Sequence, residues 1–370
     1  MSQFARTTTT EHRLFEVGPC RWLEPFHTRR GRTPARCSVR GASIHESGGV
    51  SLQVGSCAMQ GAGTGAVLSE VGTLQLEFNA LTRISGDPTY ANVAAQAMLK
   101  VEDVQPGITN GLYPVTFDPL QLYWNIDHFI SFGARGDSFY EYLLKVVVQF
   151  QQSLNMQPLL ERWKLSMQTM MNDLVAVSPL WVYLREKLRA RYVDKMDHLS
   201  CFVPGMLALG LPFLDPGDVD EALEHAEQLA ETCREMYART ATGLAPESVL
   251  FNRFQIGGMG MQDHPQNFLR PETVESFFLL YRRTGNPKYR EWGWEIFQAF
   301  EKHARVETGG YAGLKNVNVD PPTQDDTMQS FFLAETLKYL FLLFSDSNML
   351  PLDVWVLNTE GHPLQIHCIN

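Results

Sequence analysis

No run of about 18 apolar residues occurs anywhere in the 370-residue sequence, so no segment is built to cross a bilayer as a helix. A cationic surplus is also missing. The 31 Lys and Arg stand against 41 Asp and Glu, a formal charge of -10, which argues against a nucleic-acid surface made of clustered cations. No two of the six cysteines (Cys20, Cys37, Cys57, Cys201, Cys233, Cys368) have C-x-x-C spacing, and this argues against a zinc site. No Asn-x-Ser/Thr sequon is present. Period-two alternation is scarce, with Asp353-Val354-Trp355-Val356-Leu357 the best strand candidate. An acidic chain of this kind suits a neutral ligand, or a cation held by carboxylates.

The first 45 or so residues carry eight Arg, no Lys, the run Thr7–Thr10 and little apolar periodicity. The start, Met1 to Arg6, has no apolar core and is not a secretory signal, and no membrane anchor follows it. Arg and Thr content would suit a mitochondrial-type presequence, but Glu11, Glu16 and Glu24 oppose that. Residues 1–47 therefore read as a divergent, basic, disordered or mis-joined extension, and 48–370 as the folded domain.

From about residue 66 onward the pattern is helical. Apolar positions recur at three- and four-residue spacing in 70–84, 138–150, 158–176, 180–190, 220–238, 272–283, 288–303 and 329–344. Phe78-x-x-Leu81, with Ser85-Gly86-Asp87-Pro88-Thr89-Tyr90, returns 199 residues later as Phe277-x-x-Leu280 with Thr284-Gly285-Asn286-Pro287-Lys288-Tyr289. In both, a helix ends at a Gly suited to a left-handed cap, and Asp/Asn-Pro launches the next. Hairpins of unequal length point to a closed α/α toroid rather than a regular solenoid.

Four acids stand where apolar helices are expected to begin: Glu70, Asp137, Glu272 and Glu335. One acid at a helix N-terminus is ordinary capping chemistry worth about 0.3–1 kcal/mol. Two of the four follow an Arg by two residues, as Arg135/Asp137 and Arg270/Glu272, and together they suggest one acidic pocket. Paired carboxylates supply acid and base in carbohydrate hydrolysis. Taken alone, Glu335 reads as a capping acid and Thr359 as a loop residue; Glu77 and Glu141 read as helix-surface or capping residues.

Five segments resemble class I α-1,2-mannosidases, glycoside hydrolase family 47, most nearly the endoplasmic-reticulum type. They are Ala134-Arg135-Gly136-Asp137-Ser138-Phe139-Tyr140-Glu141, Lys195-Met196-Asp197-His198-Leu199, Leu269-Arg270-Pro271-Glu272-Thr273-Val274-Glu275, Phe331-Phe332-Leu333-Ala334-Glu335-Thr336 and Asn358-Thr359-Glu360-Gly361-His362-Pro363. The resemblance covers roughly residues 48–368. It implies an all-α (α/α)7 barrel with minor β-hairpin content, N-terminally incomplete in this chain. It also implies calcium-dependent hydrolysis, with inversion, of terminal α-1,2-linked mannose from high-mannose N-glycans of glycoproteins, in the endoplasmic reticulum or Golgi lumen.

By the same resemblance, the catalytic residues are Asp137 and Glu272, the two carboxylates that activate water, and His198, which stands near the site and reads equally as a satisfied structural histidine. Thr359 is the calcium ligand. Glu70, Glu247, Glu275, Glu335 and Glu360 orient waters or contact sugar, Arg135 and Arg270 bind carboxylates or glycan, and Phe331 forms an apolar floor. Cys201 and Cys233 match the family's disulfide, which would need an oxidising compartment.

The chain departs from the family in lacking the opening helices and a Phe-Glu-Ser/Thr-Thr-Ile-Arg motif that carries the usual general-acid candidate. Phe15-Glu16-Val17-Gly18 shares only two letters with it. The alternative reading is a glycan-binding pseudoenzyme of glycoprotein quality control. A third, an unrelated α/α-toroid sugar hydrolase, would need no calcium.

Overall fold

Helices that are apolar all round must be buried, whereas helices with one apolar stripe belong outside. The chain contains both kinds. Helix α4 (Asp137–Gln149) is buried from Phe139 through Gln149, and α6 (Val203–Gly210) and α8 (Glu272–Thr284) are nearly as enclosed. In α9 (Lys288–His303), by contrast, only Tyr289, Gly293, Ile296, Phe300 and His303 are buried, a single stripe. Helix α7 (Val219–Ala238) shows the same pattern through Ala222, Ala226, Leu229, Cys233 and Tyr237.

The computed structural model describes residues 42–44, 50–52, 65–104, 110–118, 123–124, 128–150, 156–252, 259–261 and 264–367. The expectations for residues 1–41, Phe15-Glu16 among them, lie outside these. The chain divides into Met1–Gly63 and Thr64–Asn370. In the first unit the described backbone is one antiparallel strand pair, Ala42–Ile44 with Val50–Leu52.

In the second unit, α1 (Leu68–Gly72) precedes α2 (Gln75–Ser85) and α3 (Thr89–Asp103), and α5 (Gln157–Thr169) follows α4. Inner helices α2, α4, α6, α8 and α10 (Leu337–Phe344) pack each on the next, and α3, α5, α7 and α9 pair with α2, α4, α6 and α8 from outside. This is the expected α/α arrangement, with five inner and four outer helices among the described residues. The strand pair Trp355–Leu357 with Pro363–Gln365 packs on α4 and α2. No helix among the described residues is long and apolar enough to cross a membrane.

The internal repeat is reproduced hydrogen bond by hydrogen bond. Gly86 and Gly285 take φ of 75° and 68°, and their N–H groups donate to Thr82 O and Tyr281 O at 2.8 Å. Asp87 Oδ1 then accepts from Thr89 N at 2.9 Å, and Asn286 Oδ1 from Lys288 N at 3.1 Å. Each acceptor satisfies one N–H left over at the start of the second helix.

Three helix expectations are corrected. Residues 180–190 form strands Val182–Leu184 and Glu186–Leu188, paired with Val175–Val177 and Arg191–Val193 respectively. A short apolar window does not distinguish helix from strand, and cross-strand contacts decide. The Arg185 guanidinium lies 3.6 Å from the Tyr192 ring centroid, and Lys187 Nζ pairs with Asp173 at 2.6 Å. The 158–176 helix stops at Thr169, passes through a π-helical turn (Met170–Leu174) and becomes the strand Val175–Val177. The 329–344 helix opens with a second π-helical turn, Phe332–Thr336.

Helix α6 meets α8 at close range because Gly205 has no Cβ, which would lie 2.9 Å from the Ser276 Cα. The Ser276 hydroxyl accepts from Gly205 N at 2.8 Å and donates to Cys201 O. Cys201 in turn is disulfide-bonded to Cys233 of α7, as expected, closing a loop of 32 residues in sequence separation. Cross-linking a loop of that size restricts the unfolded chain by about 3–4 kcal/mol. Replacing both cysteines with Ala should lower unfolding stability by about that amount in urea titration; an unchanged midpoint would show that the bond does not constrain this fold.

Candidate active site

The local sequence sets where the acids point. Asp137 and Glu272 are the first residues of α4 and α8, where unpaired N–H groups and the helix dipole favour an anion. Each follows an irregular approach. Arg135 has φ of 75°, and the buried Leu269 has φ of 65°. Such left-handed non-glycine residues cost free energy and must be held by their surroundings. Leu269 is held: its N–H donates to Asn267 Oδ1 at 3.0 Å and its carbonyl accepts from Thr336 Oγ1 at 2.7 Å. Gly72 allows α1 to sit against Phe139, whose ring a Cβ there would meet at 2.4 Å, and this brings Glu70 to the mouth of α4.

These elements enclose a cavity of about 460 Å3 lined by Glu70, Asp137, Glu141, Glu272, Glu275, Glu335 and Glu360, together with Thr359, Arg270, Phe331 and Phe202. Most of the expected site residues are thus brought together. Three stand elsewhere. Arg135 is exposed on the loop before α4 and does not line the cavity. Glu247 lies behind Arg270, pairing with its Nε at 2.5 Å and accepting from Phe268 N at 3.1 Å. His198, 1 % exposed, lies behind Glu272.

That last contact defines a proton arrangement. His198 Nδ1 is 3.0 Å from Glu272 Oε2, and Nε2 is 2.6 Å from the Tyr237 hydroxyl. An ionised Glu272 only accepts, so Nδ1 carries the hydrogen and Nε2 accepts from Tyr237. A histidine so held fixes the orientation of the Glu272 carboxylate. The Arg270 guanidinium lies 5.8 Å from the Phe331 ring centroid, so a cation and an aromatic face share one wall.

Burial governs the electrostatics, and crowding adds to it. Burial pushes Asp137 up to about 7 against the lowering effect of the Ser138 N–H, and Glu141 and Glu272 add repulsion. Burial raises Glu275 to about 7 although Lys145 opposes it, and raises Glu335 to about 9 with help from Glu275, Glu272 and Glu360. Lys145 is buried beneath the cavity, paired with Glu141 one turn before it and 3.5 Å from Glu275 Oε1. The Glu275 oxygen also accepts from Tyr339 OH at 3.3 Å.

Glu141 is therefore no surface residue, and Glu77, read as surface or capping, accepts from Tyr142 OH at 2.6 Å and Asn358 Nδ2 at 2.7 Å. Glu141 could have been found from its spacing, one helical turn after Asp137. Nothing in the local pattern marks Glu77, whose partners are 65 and 281 residues away.

Every polar atom offered to the cavity by its acids and Thr359 is oxygen, the donor type for a hard cation. Among the described residues no three His, Cys, Asp or Glu side chains converge closely enough to ligate one ion directly. Carboxylates spaced in this way would act on a cation through water rather than by direct ligation. Among the described residues, the Thr359 hydroxyl has no hydrogen-bond partner. An all-oxygen donor set of this kind suits a hard cation such as calcium.

Comparison with known proteins accords with the site. The model of glycosyl hydrolase family 47 matches residues 44–366. The mannosyl-oligosaccharide 1,2-α-mannosidase MNS1 of Arabidopsis thaliana is 46% identical over 306 residues, 82% of this chain and 53% of that protein. The endoplasmic reticulum mannosyl-oligosaccharide 1,2-α-mannosidase of Homo sapiens is 42% identical over 311 residues, 81% of this chain and 43% of that protein. The chain thus spans about half the length of the curated relatives it matches. The solved structure of the α-1,2-mannosidase from Trichoderma reesei superposes with a TM-score of 0.74 at 25% identity, covering 83% of this chain and 67% of that one. With the α/α architecture, the acidic cavity and a family match over most of its length, the chain belongs to glycosyl hydrolase family 47.

Proposed function

We propose that the protein is a calcium-dependent α-1,2-mannosidase that releases terminal α-1,2-linked mannose from high-mannose N-glycans by inversion, in the lumen of the endoplasmic reticulum or Golgi. One observation carries the reading: carboxylates from α1, α4, α8, the π-helical turn and the C-terminal hairpin converge on one sugar-sized cavity with an aromatic wall. The Cys201–Cys233 disulfide supports an oxidising compartment.

A mannose ring would rest its apolar face on Phe331 and turn its hydroxyls toward the acids, with Arg270 donating from the rim. Glu272, aligned by His198 and Tyr237, takes a proton from the water that attacks the anomeric carbon, and Asp137 orients that water. The departing oxygen needs a proton, and Glu335, raised to about 9, is a carboxyl that keeps one at neutral pH, while Asp137 and Glu275, raised to about 7, are partly protonated there. Thr359 would hold calcium, with Glu70, Glu275, Glu335 and Glu360 oriented toward its waters or the sugar hydroxyls. When bound, the ion supplies positive charge that offsets the crowded acids and grips the sugar's hydroxyls. Arg135, exposed on its loop, would meet more distant parts of the glycan.

Purified protein should release mannose from a Man9 oligosaccharide, with release abolished by a chelator and restored by calcium. Glu272→Gln should lower kcat by about 10²–10⁴. Calcium-dependent glycan binding without turnover would replace the enzyme with a lectin-like reading. Absence of both release and binding, in this chain and in a version extended to its relatives' length, would end the proposal.

The raised carboxyls also set a stability profile. Asp137, Glu275 and Glu335 bind protons more tightly folded than unfolded, so the stability they contribute is complete below about pH 4 and is lost as pH rises through about 7 and on toward 9. Melting temperature in chelator should fall across that window, and Glu335→Gln should flatten its upper part. Saturating calcium should raise the melting temperature most at the alkaline end. A melting temperature that rises with pH in chelator would contradict this account.

A further inference from the structure

The turn that presents Thr359 is fastened from outside the cavity. Asn358 Nδ2 donates to Glu77 Oε1 at 2.7 Å, while Asn358 Oδ1 accepts from Glu360 N at 3.0 Å and His362 N at 2.7 Å. Two amide donors on one side and a carboxylate on the other leave only this orientation for the carboxamide. The same Glu77 oxygen accepts from Tyr142 OH at 2.6 Å, and that hydroxyl receives Thr359 N–H at 3.5 Å. On the far side, Lys338 Nζ donates to Gly361 O at 2.7 Å, and Gly361 turns with φ of 67° against Glu335.

Glu77, Tyr142 and Asn358 come from α2, α4 and the C-terminal hairpin, and none of them lines the cavity. Tyr142 is fully buried and Asn358 is 6 % exposed. Glu77 Oε2 is buried with no hydrogen-bond partner among the described residues. A half-satisfied carboxylate is costly as a mere packing element, since a buried acceptor left unpaired loses about 1–3 kcal/mol or more. Among the described residues, its side-chain bonds lead only to the Thr359 turn and to the tyrosine that braces it.

We propose that Glu77, Tyr142 and Asn358 act as positioning residues that fix the hydroxyl and carbonyl of Thr359, and so set the affinity of the cavity for a divalent cation. The inference rests on the calcium reading above. Residues that orient a ligating group commonly contribute about 10–100-fold to metal affinity.

Calcium titration of the full chain by calorimetry tests it. Tyr142→Phe should weaken calcium binding about 10-fold and Glu77→Ala about 10–100-fold. Tyr140→Phe is the control: it is equally buried on the same helix, but its hydroxyl bonds with the Tyr113 backbone. It should leave calcium affinity unchanged even though it removes a buried hydrogen bond. If the unsubstituted protein binds calcium and Tyr142→Phe binds it within about twofold as well, the positioning role is wrong. If Tyr140→Phe weakens binding as much as Tyr142→Phe, the effect is general loosening and the inference fails. If the unsubstituted protein binds no calcium, the cation reading falls first and takes this inference with it.

Discussion

Seven carboxylates line one cavity, and their mutual repulsion is the constraint around which the rest of the structure is arranged. Asp137 and Glu272 sit on helix N-termini, Glu272 also receives His198 N–H, and Glu247 holds Arg270 in the cavity wall. Lys145 is the buried counter-charge. Burial alone would lower its ammonium pKa, but Glu141 and Glu275 outweigh that and raise it above the ordinary lysine value. A lone buried charge would cost several kcal/mol, so Lys145 and the two acids must be kept or lost together.

The scaffold serves this arrangement by making the inner helices mutually dependent. Helix α8 touches α6, α7, α9 and α10, so the positions of Glu272 and Glu275 are fixed from four sides. Ser276, one residue beyond Glu275, bonds to both Gly205 and Cys201, which ties the acid-bearing end of α8 to the disulfide. The C-terminal hairpin, packed on α4 and α2, brings Thr359 and Glu360 to the helices that carry Asp137 and Glu77. A site assembled from the beginning and the end of the domain exists only in the folded chain, so site and fold rest on the same contacts.

What could be read from the sequence follows from how local each signal is. Asp137 and Glu272 were legible because a helix start is a local pattern, and the Gly86 and Gly285 caps because left-handed turns select a few residue types. Lys145, Tyr142 and Glu77 lie within helices whose inner faces hold both apolar and charged groups, and no periodicity separates a buried lysine from an exposed one. The strands of 182–193 were misread because Val182, Tyr183 and Leu184 fit either period, and the contacts that decide come from Asp173 and Tyr192. Motif resemblance, by contrast, located six of the seven cavity acids and Thr359 together, Glu141 being the one it left out, because it records what tertiary structure brings into contact.

Chemically identical groups are then made different by what stands behind them. Glu272 and Glu275 lie one helical turn apart on α8 and both line the cavity. Glu275 is 8 % exposed, and its Oε1 is engaged by Tyr339 and Lys145 on the side away from the cavity. A proton delivered there would compete with a lysine that is itself kept charged by that carboxylate. Glu272 is partly open to the cavity, and among the described residues its buried partner is a histidine whose other nitrogen meets Tyr237. That partner holds the carboxylate from behind. Of the two, Glu272 is the one whose surroundings suit the proposed base, and in the proposed mechanism that role therefore falls to the first residue of α8 rather than one turn on.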